Sequence, residues 1–280
     1  MTSFSTPTPI TAIVTIESGA LRITAGDVTE TVVDVRPTSA AREEDVRAAE
    51  RTQVEFADGE LRVKGPKQRS PFAKNASVDV EIRLPAGSRL DASAAMANLS
   101  ATGPLGACAY KTSCGDIQVA DASSARLSTG YGEVAVDRVE GAAEITTGSG
   151  DVRVGEIGGA ATIANSNGST KLGEVRGELR VKSSNGAIAV GLAGADVDAR
   201  TANGSIRLAE VVRGTVTMES AAGELEVGVR EGTAAWLDVR SRAGALRQSL
   251  GSTAGPDSTD ETVQVRGRTG LGDIVIRRAA

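Results

Sequence analysis

Thr147-Gly148-Ser149-Gly150-Asp151-Val152-Arg153-Val154, then Ser183-Ser184-Asn185-Gly186-Ala187-Ile188-Ala189-Val190, then Thr201-Ala202-Asn203-Gly204-Ser205-Ile206-Arg207-Leu208: a polar corner ending in glycine, followed by alternating apolar residues, recurs along this chain. Thr112-Ser113-Cys114-Gly115-Asp116-Ile117-Gln118-Val119 is an earlier copy. Indexed by glycine, the units stand at Gly115, Gly132, Gly150, Gly168, Gly186, Gly204, Gly223, Gly244 and Gly272, with steps of 17, 18, 18, 18, 18, 19, 21 and 28. Two residues after each glycine comes Ile117, Val134, Val152, Thr170, Ile188, Ile206, Leu225, Leu246 or Ile274. Charged or small residues such as Asp116, Arg153, Lys171 and Arg207 fill the intervening places. Period-2 alternation marks strands with one buried face.

Strands of four or five residues cannot bury that face alone. Stacking each turn of chain on the last, at about 4.8 Å, buries it and pairs the backbone. The pattern therefore predicts an all-β fold, a single-stranded parallel β-solenoid (β-helix) of about 18 residues per coil, expected to be right-handed. Asn167-Gly168, Asn185-Gly186 and Asn203-Gly204 share one corner, where asparagines can hydrogen-bond from rung to rung.

The rest of the chain is less regular. Residues 1–9 read as a disordered tail, 10–100 as a β-rich N-terminal cap, and 101–280 as the regular solenoid with an inserted loop at 249–260. Thr38–Gln53 is the one expected helix, with Ser39 as N-cap and Glu43 paired to Arg47.

Composition narrows the chemistry. The 280 residues contain no histidine, 2% aromatics, and 31 Lys+Arg against 36 Asp+Glu, for a net charge of −5. Without histidine no Ser-His-Asp or Cys-His nucleophile assembles and no imidazole ligates zinc. An acidic, aromatic-poor chain argues against nucleic acid as a partner. No cofactor or metal is expected. Neither a signal peptide nor an apolar run of membrane-spanning length is visible, which predicts no membrane span and, with two cysteines only, a cytoplasmic protein.

Each candidate site has a plain structural reading beside it. Gly115-Asp116, Gly150-Asp151 and Gly272-Asp273 lack the nine-residue period of calcium-binding repeats, so these aspartates read as solvated carboxylates. The glycines around Gly148–Gly159 precede strands rather than a helix, so they read as turn glycines and not a phosphate loop. Neighbouring coils bring Glu133 toward Asp151 and Glu156 toward Glu174, the carboxylate pairs a polysaccharide-cleaving β-helix would use. The apolar-Gly hexapeptide marker of acyltransferase helices is absent. Cys108 and Cys114 read as small fillers rather than a redox pair. The residues marked for partner contact are Lys67, Arg69, Phe72 and Lys74, in the basic loop Lys64–Asn75, and Trp236, whose first expectation is packing under the widened C-terminal coils.

The Gly-Asp-Ile-x-Val units, preceded by Val78-Asp79-Val80-Glu81-Ile82-Arg83-Leu84-Pro85-Ala86-Gly87, resemble the bacterial β-strand-repeat family of unknown function labelled "putative adhesin". The resemblance runs from about Ile10 to Ile276 and implies a β-solenoid without catalysis; the family supplies no binding residues to carry over. The expected function is thus a non-enzymatic structural or interaction protein, a scaffold or binding module with an unidentified protein partner. A surface adhesin exported by an unseen route and a polysaccharide-active enzyme are the alternatives. Unpaired end rungs leave end-to-end self-association open, with a monomer or weak dimer expected.

Overall fold

Wherever the sequence alternates, the chain is strand. The computed structural model describes residues 1–66, 76–250 and 261–279, and the contacts divide the chain into two units, Met1–Val139 and Glu140–Ala280. The first unit holds β1 (Thr2–Ser5), β2 (Thr11–Gly26), β3 (Glu30–Pro37), α1 (Glu43–Arg51), β4 (Gln53–Ala57), β5 (Glu60–Lys64), β6 (Val78–Pro85), β7 (Arg89–Cys114), β8 (Ile117–Tyr131) and β9 (Val134–Val139). The second holds β10 (Ala143–Ser149), β11 (Val152–Ile157), β12 (Ala161–Asn167), β13 (Thr170–Val175), β14 (Leu179–Asn185), β15 (Ile188–Ala193), β16 (Val197–Asn203), β17 (Ile206–Val211), β18 (Gly214–Ala222), β19 (Leu225–Val229), β20 (Ala234–Ala243), β21 (Leu246–Gln248), β22 (Thr262–Leu271) and β23 (Ile274–Arg278).

In the second unit the 18-residue period is the pairing register. Val152 lies on Thr170, Thr170 on Ile188 and Ile188 on Ile206, all parallel. Those strands form one ladder; β10, β12, β14, β16 and β18 form another, through Ile145–Ile163–Val181–Ala199–Met218. All five of these side chains are fully buried, as are Val152, Ile188, Ile206 and Leu225. Burying an aliphatic side chain of this size stabilises by about 1.5–3 kcal/mol, so each coil brings its own share of the core. This is the expected parallel β-solenoid. The asparagine corner is also as read: Asn185 Nδ2 donates to Asn167 Oδ1 and Asn203 Nδ2 to Asn185 Oδ1, both at 2.9 Å.

At the C-terminal end, chain order and spatial order part. β18 and β19 pair with β22 and β23, not with β20 and β21. The chain makes the outer rung β20–β21 first, then returns to lay β22–β23 beneath it. The 21- and 28-residue steps are the sequence trace of this insertion. Of the expected loop at 249–260, residues 251–260 lie outside the described residues.

In the first unit β2 is already a coil. It pairs in parallel with β7 from Thr11↔Arg89 to Thr24↔Thr102, and with β5 and β6 as well. Coil stacking therefore begins before the expected boundary at residue 101. Antiparallel strands cover the outermost coil: β4 on β5, β3 on β6 and β1 on β3. The tail expected to be disordered thus contains a strand. Its register is held by Phe4 against Phe56 at 5.3 Å and by the buried hydroxyl pair Thr6–Thr31 at 2.8 Å, neither of which an isolated nonapeptide reveals. Helix α1 starts later than expected, because Thr38 bonds Ser77 and Asp79 instead of opening a helix; Arg42, not Ser39, stands at its N-cap. Glu43 and Arg47 do pair, at 2.6 Å.

Candidate interaction surface

The corners are built from three columns. The first is glycine with positive φ. The second, three residues earlier, turns a small polar side chain inward to accept the corner's burden: Thr129 Oγ1 donates to Gly115 O at 3.0 Å, Asn165 Nδ2 to Gly150 O at 3.1 Å, and Ser220 Oγ to Gly204 O at 2.9 Å. The third is the aspartate after glycine. Asp116 Oδ1 accepts the Glu133 N–H, Asp151 Oδ1 the Ser169 N–H and Asp273 Oδ1 the Ala245 N–H, at 2.8–2.9 Å. The Gly-Asp residues are rung-to-rung acceptors, a more specific role than the solvated carboxylates expected. Among the described residues no group of three or more acidic or cysteine side chains is placed to hold a metal ion.

The carboxylate pairs are ordered by donors. Asp151 is held below the usual carboxylate range, first by the Ser169 backbone N–H, then by the Ser169 hydroxyl and the charges of Arg153 and Lys171. Glu156 and Glu174 are register partners, and Arg176 bridges them at 2.6 and 2.8 Å. Glu133 belongs to the first unit, where its amide is tied to Asp116. A glycosidase acid needs a carboxyl kept protonated. Asp151 sits in surroundings that favour the ionised form, suiting it to accept hydrogen bonds rather than to donate a proton, and Glu156 and Glu174 are engaged by Arg176.

On the outward faces of the second unit, arginines and acids interlock. Arg180 meets Glu178 at 2.7 Å; Arg200 meets Asp198 at 2.7 Å and Glu219 at 3.4 Å; Arg277 meets Glu226 at 2.9 Å. Such exposed pairs contribute roughly 0–1 kcal/mol each, and here they tie outward side chains to a neighbour two residues away or on the adjoining rung. At the outer rung the balance turns basic: Arg240 and Arg242 on β20 stand with Arg266 and Arg268 on β22, all exposed.

Trp236 stands on β20 opposite Gln264 and is 74% exposed, so it does not pack under the coils. The reason is the insertion of β22: β20 becomes the outer rung among the described residues, and no further described coil lies beside its outward side chains. Trp236 walls an open groove of about 900 Å³ with Arg213, Thr215, Glu261 and Gln264. Sequence reasoning missed this groove, because residues 213–215 and 261–264 meet only through the insertion. It also missed the inward polar column, whose one trace in the sequence is a polar residue, Thr129, Asn165, Thr201 or Ser220, three places before a glycine. Lys67, Arg69, Phe72 and Lys74 lie outside the described residues. Cys108 and Cys114 are both free thiols: Cys108 is buried, which pushes its thiol up to about 12, and Cys114 is exposed.

The family model described as Toastrack DUF4097 matches residues 105–269. No curated protein matches the chain. Solved structures similar to it include a "putative adhesin" from Bacteroides fragilis, at 12% identity and TM-score 0.42, covering 98% of this chain and 95% of that one. A second is a "putative adhesin" from Parabacteroides distasonis, at 13% identity and TM-score 0.36, covering 98% and 94%. A third, from Parabacteroides merdae, has 10% identity and TM-score 0.33, covering 100% and 96%.

Proposed function

The chain belongs to the Toastrack DUF4097 family, and from that premise we propose that it works as a non-enzymatic scaffold or binding module that presents in-register strand faces to a protein partner. The observation that carries the reading is the charge lattice. Arg176 spans Glu156 and Glu174 across two rungs, and Arg200 spans Asp198 and Glu219, so acids that could have formed a reactive pair serve instead as fixed features of a flat face. Flat, preorganised faces suit recognition of another surface, because little side-chain freedom is lost on docking.

The test is affinity purification from the native cell with the wild type and with an Arg180→Ala/Arg200→Ala/Arg268→Ala variant. A partner retained by the first and released by the second supports the module; a measured polysaccharide-cleaving activity lost in Glu156→Gln/Glu174→Gln would replace it with the enzyme. We further propose a cytoplasmic location, which two unbridged thiols suit. Fractionation that recovers the protein at the cell surface would overturn that location and favour an adhesin.

A further inference from the structure

We propose that the chain forms a two-fold symmetric dimer in which β20 of one copy pairs antiparallel with β20 of a second copy, centred on Val239. Among the described residues β20 pairs on one side only, with β22, and β21 only with β23. The rung is unfinished inside as well as along its backbone. Leu237 and Val239 are half-buried, whereas Val265 and Val216 in the same column as Leu237 are fully buried. Leu246 is 54% exposed above a fully buried Ile274.

Open edges are usually blunted by lysine, proline, a bulge or brevity. β20 is ten residues long, Ala-Ala-Trp-Leu-Asp-Val-Arg-Ser-Arg-Ala, with neither lysine nor proline. In the first unit, by contrast, β5 and β6 are covered by β4 and β3.

The occupant follows from complementarity. Trp236, Asp238, Arg240 and Arg242 point outward along β20. Centring an antiparallel pair on Val239 sets Asp238 across from Arg240 of the copy and Trp236 across from Arg242, a carboxylate–guanidinium pair and a cation–π pair, each made twice. Inside, Val239 meets itself and Leu237 meets Ser241. Sliding the register by two residues one way opposes Asp238 to Asp238; the other way it opposes Arg240 to Arg240. Sliding by one turns Trp236 and the charges inward. Of these registers only the one centred on Val239 pairs Asp238 with an arginine and opposes no like charges, and a two-fold contact closes on itself, giving a dimer rather than a filament. The intrachain Asp238–Arg240 contact is long, at 3.8 Å, and leaves both groups able to pair across the edge. The dimer stands on this edge alone, so its failure would leave the binding-module reading intact.

Sedimentation velocity of the full chain, from low to high micromolar concentration, tests it. The wild type should move from 28.5 kDa toward twice that mass, with a parallel blue shift of emission from Trp236, the chain's only tryptophan. Asp238→Arg and Arg240→Asp should each stay monomeric with unchanged circular dichroism, since both side chains are solvent-facing, and the exchange Asp238→Arg/Arg240→Asp should restore the dimer. A wild type monomeric throughout, a single variant that dimerises as tightly as wild type, or an exchange that fails to rescue would each overturn the proposal.

Discussion

At Gly186 one hydrogen atom decides whether two coils can touch. Its φ is +153°, and a Cβ there would lie 2.0 Å from the backbone oxygen of Gly168, a contact that no side-chain motion relieves. Gly186→Ala should therefore cost on the order of 3 kcal/mol or more in urea unfolding. Asn185→Ala, next door, loses two exposed amide bonds and should cost only about 1 kcal/mol. Near-equal losses would show that the corner is held by the amides and not by the backbone contact. Both residues were legible in the sequence because Asn-Gly is turn chemistry. The inward column was not, because Thr201 or Ser220 on a strand's buried face looks like a break in alternation rather than a donor to a neighbouring glycine. The cysteines give a second residue-scale test. At neutral pH a thiol reagent should label one cysteine per folded chain, Cys114, and the second only on unfolding, since burial keeps Cys108 protonated. Because folding raises this thiol from 9.0 to about 12, its contribution to stability is complete below pH 9 and is lost as pH rises toward 12. Rapid labelling of both thiols in the folded protein would contradict the burial.

For the element, the register is the prediction. Thr170 lies on Val152 and under Ile188, so residues 170–187 are one interchangeable coil. Deleting those 18 residues joins Ser169 to Ile188 and sets Ile188 on Val152, with Val190 on Val154. The shortened chain should still unfold cooperatively, at a modestly lower midpoint. Deleting 17 residues instead turns every following side chain to the opposite face and should abolish the transition. Equal behaviour of the two deletions in thermal unfolding by circular dichroism would refute the coil as the structural unit. The same logic separates what could be read from what could not. β10 to β18 were legible because each repeats its predecessor. β1 repeats nothing; its pairing depends on β3, and its ring contact on Phe56, so no local signal marks it. The helix was legible through its charged, alanine-rich run, but its start was not, since Thr38 is drawn away by Ser77 and Asp79.

For the whole molecule, the family match and the folded unit do not end together. The match closes at residue 269, yet β23 lies beyond it and sits between β19 and β21. A repeat reading treats the last coil in sequence as the last in space, and the sequence has no residue that announces the reversal; only the uneven steps before Gly244 and Gly272 hint at it. The consequence is that the final residues are core, not a tail. Ile274 and Ile276 are fully buried over Leu225 and Val227. Removing everything after Leu271 deletes both isoleucines, at about 1.5–3 kcal/mol each, and uncovers the two side chains beneath them for a similar loss. The sum, roughly 6–12 kcal/mol, matches the whole stability of an ordinary domain, so the truncated chain should not fold. Ile274→Ala, which leaves the backbone ladder in place, should cost about 2–5 kcal/mol and still give a cooperative transition. Limited proteolysis and thermal unfolding separate these outcomes: a truncated chain that resists protease and melts near the full-length midpoint would mean that β21 can settle directly on β19, and that β23 is dispensable to the coil stack.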